Sequence, residues 1–129
     1  MISARLRVAV AFLLVAIACA SAWAQRADPA NRTVVKITAE RFAFTPSEVT
    51  VPQGATVEFV LKSADTSHGF RIIGQSTEQT IPKRGRGEAT VTFTPPEPGT
   101  YVFECSRMCG AGHSFMRGVI RVKPASAGK

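Results

Sequence analysis

Five side chains of types that bind soft metal ions are candidates for a metal site in this sequence, and four of them lie within twelve residues. These four are Cys105, Cys109, His113 and Met116, and the fifth is His68. Thiolate, imidazole and thioether groups are soft to borderline donors, which favour copper over magnesium or calcium. Zinc also takes cysteine and histidine, but methionine contributes little to a zinc site. These residue types therefore predict a copper site.

Each of these residues has an ordinary structural explanation when it is taken alone. His68 is then a loop histidine, Met116 is part of the core, and the two cysteines form a short disulfide. A disulfide that closes so short a loop demands a special geometry and yields a modest entropic gain. All three explanations would have to hold independently in one small domain, so the joint pattern favours metal binding.

The segments around these residues repeat apolar side chains with a period of two, which is typical of half-buried strands. The alternating residues are Val35, Ile37 and Ala39; Val57, Phe59 and Leu61; Val91 and Phe93; Tyr101 and Phe103; and Ile120 and Val122. Turn signals such as Pro52-Gln53-Gly54 separate them, and no long helical stripe occurs between residues 33 and 124. We therefore predict an all-β fold, a small antiparallel Greek-key β-sandwich, with the four clustered residues in a hairpin-end loop.

The first 24 residues have the features of a secretory signal peptide. Arg5 and Arg7 precede an apolar run over residues 8–20, and Ala22-Trp23-Ala24 is a small-x-small cleavage pattern. Two alternatives stay open: an uncleaved membrane anchor and lipoprotein processing at Cys19. The predicted division is a signal segment at 1–24, a linker at 25–32, a copper-binding domain at 33–124 and a flexible tail at 125–129.

Removal of the signal segment changes both the charge and the number of thiols. Without Arg5 and Arg7, 14 of the 16 basic residues remain against 9 acidic ones, a net charge of +5. Cys19 is lost as well, which leaves two cysteines in an exported protein. No aromatic-rich basic repeat indicates nucleic acid as a partner. The positive surface favours docking to an acidic partner or to an anionic membrane surface.

The order and spacing of the clustered residues resemble those of a known family. The loop has the pattern C-x3-C-x3-H-x2-M, the upstream histidine lies in His68-Gly69-Phe70, and the segment from Gly99 to Cys105 leads into the loop. The chain resembles a cupredoxin over about residues 33–123. Within that group it is similar to the binuclear copper (CuA) domain of cytochrome c oxidase subunit II.

The resemblance implies two copper ions bridged by both thiolates, of Cys105 and Cys109. Each copper then takes one histidine, His68 or His113. One copper also takes the Met116 thioether, and the other takes the backbone carbonyl of Arg107. We also expect Phe70, Phe103 and Phe115 to form an apolar shell around the site, with ordinary core packing as the alternative.

The resemblance implies an electron-transfer module that is not an enzyme by itself, because a closed ligand set leaves no open position for a substrate. Its partners would be a redox donor and acceptor, either a heme-copper oxidase or a non-basic cytochrome. Lys83, Arg84 and Arg86 lie in one basic loop, which disfavours docking to a basic cytochrome c. The absence of a predicted mature transmembrane helix favours a free-standing periplasmic monomer over an assembled oxidase subunit.

Two other functions stay open. A mononuclear blue copper protein would use His68, Cys109, His113 and Met116, with Cys105 idle. The second alternative is a periplasmic protein that stores copper or delivers it to another metalloprotein.

Overall fold

The computed structural model describes residues 31–125 as a domain built from β-strands and one short 3-10 helix. The strands are β1 (Arg32–Glu40), β2 (Ala43–Thr45), β3 (Glu48–Pro52), β4 (Thr56–Ser63), β5 (His68–Ile72), β6 (Glu78–Ile81), β7 (Ala89–Phe93), β8 (Gly99–Glu104) and β9 (Arg117–Lys123). The 3-10 helix, His113–Phe115, lies between β8 and β9. The predicted signal segment at 1–24, most of the predicted linker at 25–32 and most of the predicted tail at 125–129 lie outside the described residues.

The strands form two sheets, with the orders β2-β1-β4-β7 and β3-β9-β8-β5-β6. The predicted β-sandwich is confirmed. The sheets are mixed rather than purely antiparallel, because β1 pairs with β4 and β3 pairs with β9 in parallel. Parallel neighbouring strands need a long connection. The chain between β1 and β4 provides this connection, which includes β3 in the opposite sheet. Alternation alone does not reveal strand direction, so the sequence did not indicate these two pairs.

The core consists of the apolar side chains that alternate along the strands. Val57, Phe59 and Leu61 of β4 are fully buried, as are Phe103 of β8 and Ile120 of β9. The alternation therefore predicted the buried face of these strands correctly.

Aromatic packing fixes β5 against β8, the two strands that lead to the candidate metal ligands. The ring of Phe70 on β5 stacks on that of Phe103 on β8, with centroids 5.2 Å apart. Phe44 on β2 meets the Phe103 ring at 5.2 Å and the Phe70 ring at 6.0 Å. Such aromatic contacts stabilise beyond the area they bury. They hold the start of β5 and the end of β8 at the same end of the sandwich.

No helix within residues 31–125 is both long enough and apolar enough to cross a membrane.

Candidate metal centre

The loop between β8 and β9 folds back on itself and brings its metal-binding side chains together. Cys105 follows β8 directly and Met116 precedes β9, and the Cys105 N–H donates to the Met116 carbonyl at 3.0 Å. The 3-10 helix turns His113 back toward the cysteines, with the His113 N–H donating to the Gly110 carbonyl at 3.1 Å. Gly110 has φ of 144°, a left-handed conformation that glycine adopts without strain.

The sulfur atoms lie at the centre of the cluster. The Cys105 and Cys109 Sγ atoms are 3.8 Å apart, and Cys109 Sγ lies 3.9 Å from both His113 Nδ1 and Met116 Sδ. A disulfide requires an S–S distance of about 2.05 Å, so the two cysteines are free thiols in this structure. Both are almost fully buried. The alternative that the two cysteines form a short disulfide therefore does not hold in this structure.

His68 reaches the same cluster from the start of β5. Its side chain is completely buried, and its Nε2 lies 2.7 Å from Asp65 Oδ1. Among the described residues, its Nδ1 is buried without a hydrogen-bond partner, an arrangement that is costly unless something else binds the atom. The ligating atoms of His68, Cys105 and Cys109 all lie within 4.8 Å of one another. This unpartnered nitrogen beside two thiols fits a bound soft metal ion.

Gly69 allows β5 to approach the cysteine loop closely. Its N–H donates to Cys105 Sγ at 3.4 Å. A Cβ atom on this residue would lie 2.6 Å from the Arg107 nitrogen and 2.8 Å from the Ser106 nitrogen, and it would also overlap the Ser106 hydroxyl. Only a residue without a side chain therefore lets His68 sit against the two cysteines.

The Arg107 carbonyl faces the cluster while its side chain is exposed. The carbonyl oxygen accepts a hydrogen bond from Cys105 Sγ at 3.1 Å. The family resemblance implied this carbonyl as a backbone ligand, and in the structure it lies beside the thiols. His68, Cys105, Arg107, Cys109, His113 and Met116, the six predicted site residues, therefore all lie at one end of the sandwich.

Two titratable groups near the cluster have shifted pKa values. Burial, reinforced by the neighbouring Cys105 thiol, raises the pKa of Cys109 to about 11, although the positive charge of Arg41 opposes this. Burial works against the ionised form of Asp65, but hydrogen bonds from His68 and from the backbone N–H groups of Arg41 and Thr66 lower its pKa to about 2. The Asp65 carboxylate is therefore ionised at neutral pH and holds His68 Nε2, which leaves Nδ1 free for a metal.

The expected apolar shell is only partly present. Phe70 and Phe103 are fully buried beneath the loop, but Phe115 is 84% exposed. The prediction for Phe115 was wrong because the 3-10 helix turns its side chain toward solvent. Sequence reasoning also missed Asp65, whose position three residues before His68 was the available signal. It missed Arg41 as well, whose side chain donates to the Cys109 carbonyl across 68 positions.

The comparisons with known proteins agree with this geometry. A family model described as a cupredoxin-like domain matches residues 9–122. The chain belongs to the cupredoxin family. Cytochrome c oxidase subunit 2 of Thermus thermophilus is 37% identical over 107 residues, which cover 75% of this chain and 76% of that protein. Within the family, the chain therefore belongs with the relatives of this subunit.

Solved structures show the same fold. The periplasmic domain of cytochrome oxidase subunit II from Bradyrhizobium japonicum matches with a TM-score of 0.63 at 22% identity, covering 71% of this chain and 84% of that one. Auracyanin A, a blue copper protein from Chloroflexus aurantiacus, matches with a TM-score of 0.55 at 22% identity, covering 71% and 99%. The family and the His-Cys-Cys cluster together support a copper electron-transfer domain.

Proposed function

We propose that this chain is an exported carrier of single electrons with a binuclear copper centre of the CuA type. The Cys105 and Cys109 thiolates would hold the two ions. His68 Nδ1 and His113 Nδ1 would each bind one ion, and the Met116 thioether and the Arg107 carbonyl would complete the set. When bound, copper supplies one-electron redox chemistry, and the residues of this chain hold it in a fixed, largely buried site.

One observation carries the proposal: both thiols, not one, belong to the buried cluster around the unpartnered His68 nitrogen. Cys105 accepts the Gly69 N–H and lies beside the Arg107 carbonyl, so it occupies the interior of the site. A mononuclear site built from Cys109 would leave this thiol idle at 3.8 Å from a ligand sulfur. The position of Cys105 therefore favours two copper ions.

The chain's own groups are suited to electron transfer rather than to catalysis. Cys105, Cys109, His68 and Met116 are buried, so a substrate has no direct access to them. Only two histidines occur in the sequence, and both belong to this cluster, so no histidine is left for a second metal site. Electrons would enter and leave near His113, the partly exposed ligand. The chain would be a redox module and not an enzyme by itself.

We further propose a redox partner with an acidic docking face. Met108 is 76% exposed and Phe115 is 84% exposed, and both flank the cluster in the cysteine loop. Exposed Arg107 lies in the same loop, and the basic loop 83–86 is attached to this end of the sandwich because the Arg84 N–H donates to the Asp65 carbonyl at 3.0 Å. An apolar patch bordered by positive charge complements an acidic rim.

The similarity to oxidase subunit 2 makes a heme-copper oxidase a candidate partner, and we place the domain in the periplasm. Stopped-flow electron transfer with an acidic and with a basic cytochrome, at several salt concentrations, tests the partner. The reaction with the acidic cytochrome should slow as salt screens the attraction. Faster, salt-sensitive reaction with the basic cytochrome would refute the acidic docking face.

Copper loading of the purified mature domain tests the metal centre. We expect two copper ions per chain that share one unpaired electron in the electron paramagnetic resonance spectrum. Cys105→Ser should abolish that spectrum, as should the matched Cys109→Ser variant. A single copper with an intense blue absorption band, unchanged in Cys105→Ser, would establish the mononuclear alternative. Cu(I) that a chelator removes readily would indicate storage or delivery.

A further inference from the structure

The turn between β1 and β2 contacts both halves of the candidate metal centre, although neither of its residues belongs to the proposed ligand set. This turn consists of Arg41 and Phe42. The half that comes from β5 contains His68, and the half that comes from the loop after β8 contains Cys109 and His113. These halves are far apart in sequence, so their relative position depends on contacts between separate segments.

Arg41 holds the cysteine loop through its side chain. Its Nε donates to the Cys109 carbonyl at 2.7 Å in a partly buried hydrogen bond. A hydrogen bond from a charged donor is stronger and more directional than a neutral one. The bond fixes the peptide group next to the Cys109 side chain, whose sulfur lies at the centre of the cluster.

The same residue holds the histidine half through its backbone. The Arg41 N–H donates to Asp65 Oδ2 at 3.0 Å, and the other carboxylate oxygen of Asp65 lies 2.7 Å from His68 Nε2. The Asp65 carboxylate therefore lies between Arg41 and the buried histidine. Arg41 thus connects Cys109, whose sulfur lies at the centre of the cluster, with His68, whose Nδ1 has no hydrogen-bond partner among the described residues.

Phe42 covers the segment between Cys109 and His113. Its ring lies where Cβ atoms would be at Gly110 and Gly112: the Gly110 position is 2.9 Å from two ring carbons, and the ring also overlaps the Gly112 position. The ring is in direct contact with the loop backbone, which limits the movement of this segment. The strand pairing delivers the turn to this place, because β1 runs parallel to β4 as far as Ala39 opposite Ser63.

We propose that Arg41 is a positioning residue that holds the cysteine loop and His68 at a fixed separation by donating to the Cys109 carbonyl and to Asp65. This inference rests on the proposed metal centre. Arg41 is not proposed as a metal ligand, and its positive charge alone does not account for its positioning of the loop. The geometry of the Nε–H···O bond is what matters, so lysine, which lacks the planar guanidinium, should not replace it.

Three variants test this proposal. Arg41→Met removes the charge and the side-chain donor, whereas Arg41→Lys keeps a charged donor but loses the planar guanidinium. Arg84→Met is the matched control. Arg84 approaches Asp65 only through its backbone N–H, so its substitution preserves that contact. Each variant is examined metal-free, by thermal unfolding and by the reaction rate of the buried thiols with a disulfide reagent. Each is then examined copper-loaded, by its paramagnetic resonance spectrum and by its affinity for copper in competition with a chelator.

We expect Arg41→Met and Arg41→Lys to expose the thiols faster in the metal-free protein and to alter the copper spectrum. Their affinity for copper, measured in competition with the chelator, should fall about 10 to 100 times, the usual effect of losing a partner of a metal ligand. Arg84→Met should match the wild type in all four measurements, because none of them involves the partner-docking surface to which Arg84 belongs. If Arg41→Met is too unstable to load, Arg41→Lys alone decides the question.

Wild-type behaviour of Arg41→Lys would overturn the proposal, because a charged ammonium donor without the fixed geometry of the guanidinium would then suffice. Wild-type behaviour of Arg41→Met would overturn it as well. Failure of the proposed function is recognised separately: the wild-type domain would then bind one copper or none, while the thiol reactivity of the metal-free variants would still report on Arg41.

Discussion

Substitution of Gly69 by alanine should damage the metal centre through a steric clash that the structure defines. The new Cβ would lie 2.6 Å from the Arg107 nitrogen and 2.8 Å from the Ser106 nitrogen, whereas ordinary van der Waals contact begins at 3.4 Å. The cysteine loop must therefore move away from β5 by about 0.8 Å, because backbone atoms cannot rotate aside as a flexible side chain does. That movement separates the cysteine loop from His68.

Overpacking of this kind costs about 1–3 kcal/mol of unfolding free energy. For a domain of this size each kcal/mol lowers the melting temperature by about 4–8 °C. We expect the metal-free Gly69→Ala protein to show this loss in thermal unfolding followed by circular dichroism. The copper-loaded variant should also show an altered paramagnetic resonance spectrum, because the distance between His68 and the two cysteine sulfurs changes.

Gly74→Ala is the matched control. Gly74 has φ of 77°, and a Cβ atom on this residue would meet no other atom within 4 Å, so alanine there costs only backbone strain, about 1–2 kcal/mol. It lies in the turn between β5 and β6, away from the cluster, and its substitution should lower stability without changing the copper spectrum. If Gly69→Ala binds copper with the wild-type spectrum, then the close approach of β5 does not position the ligands and the reasoning above fails.

Three further predictions concern protons and ion pairs. Because the pKa of the Cys109 thiol is about 11, copper loading at neutral pH should release its proton. Calorimetry in buffers of different ionisation enthalpy should detect this release as a buffer-dependent heat of binding. A heat of binding that is the same in all buffers would contradict the prediction. The pKa of Asp65 is lowered from 3.8 to about 2. Its contribution to the stability of the metal-free protein should therefore be present above pH 3.8 and lost as the pH falls toward 2. Acid unfolding of Asp65→Asn should lack this loss. Glu104 forms ion pairs with Arg71 and Arg117. Glu104→Gln should therefore lower the free energy of unfolding, measured in urea, by about 1–3 kcal/mol. An unchanged urea midpoint would show that these ion pairs contribute nothing to stability.

The sequence predicted most of the site because four of its residues are close together in the chain. Cys105, Cys109, His113 and Met116 follow one spacing, and a single hairpin-end loop can bring them near one another. The period of two predicted the buried faces of the strands equally well, because burial of alternate side chains is a local property of a sheet face. Both inferences needed only residue types and their separation.

The features that the sequence did not reveal depend on contacts between distant segments. The direction of β4 relative to β1 follows from where the chain crosses between the sheets, and side-chain alternation is the same in parallel and antiparallel pairs. Phe115 has the composition of a core residue, yet the 3-10 helix turns it outward. Side chains in a glycine-containing loop follow no regular period, so the sequence does not indicate whether a hydrophobic residue there faces the core or solvent.

The parallel β1–β4 pair links the fold to the electrostatics of the site. It ends with Ala39 opposite Ser63, and the Ala64 N–H donates to the Ala39 carbonyl at 2.9 Å. The chain segments that follow these two strands therefore leave the sheet side by side, which puts the Arg41 backbone within hydrogen-bonding distance of Asp65. An antiparallel pair would send these segments to opposite ends of the sheet. The strand direction that the sequence did not reveal is thus the reason that Asp65 is held in place beside His68, with the Nδ1 atom free to bind a metal.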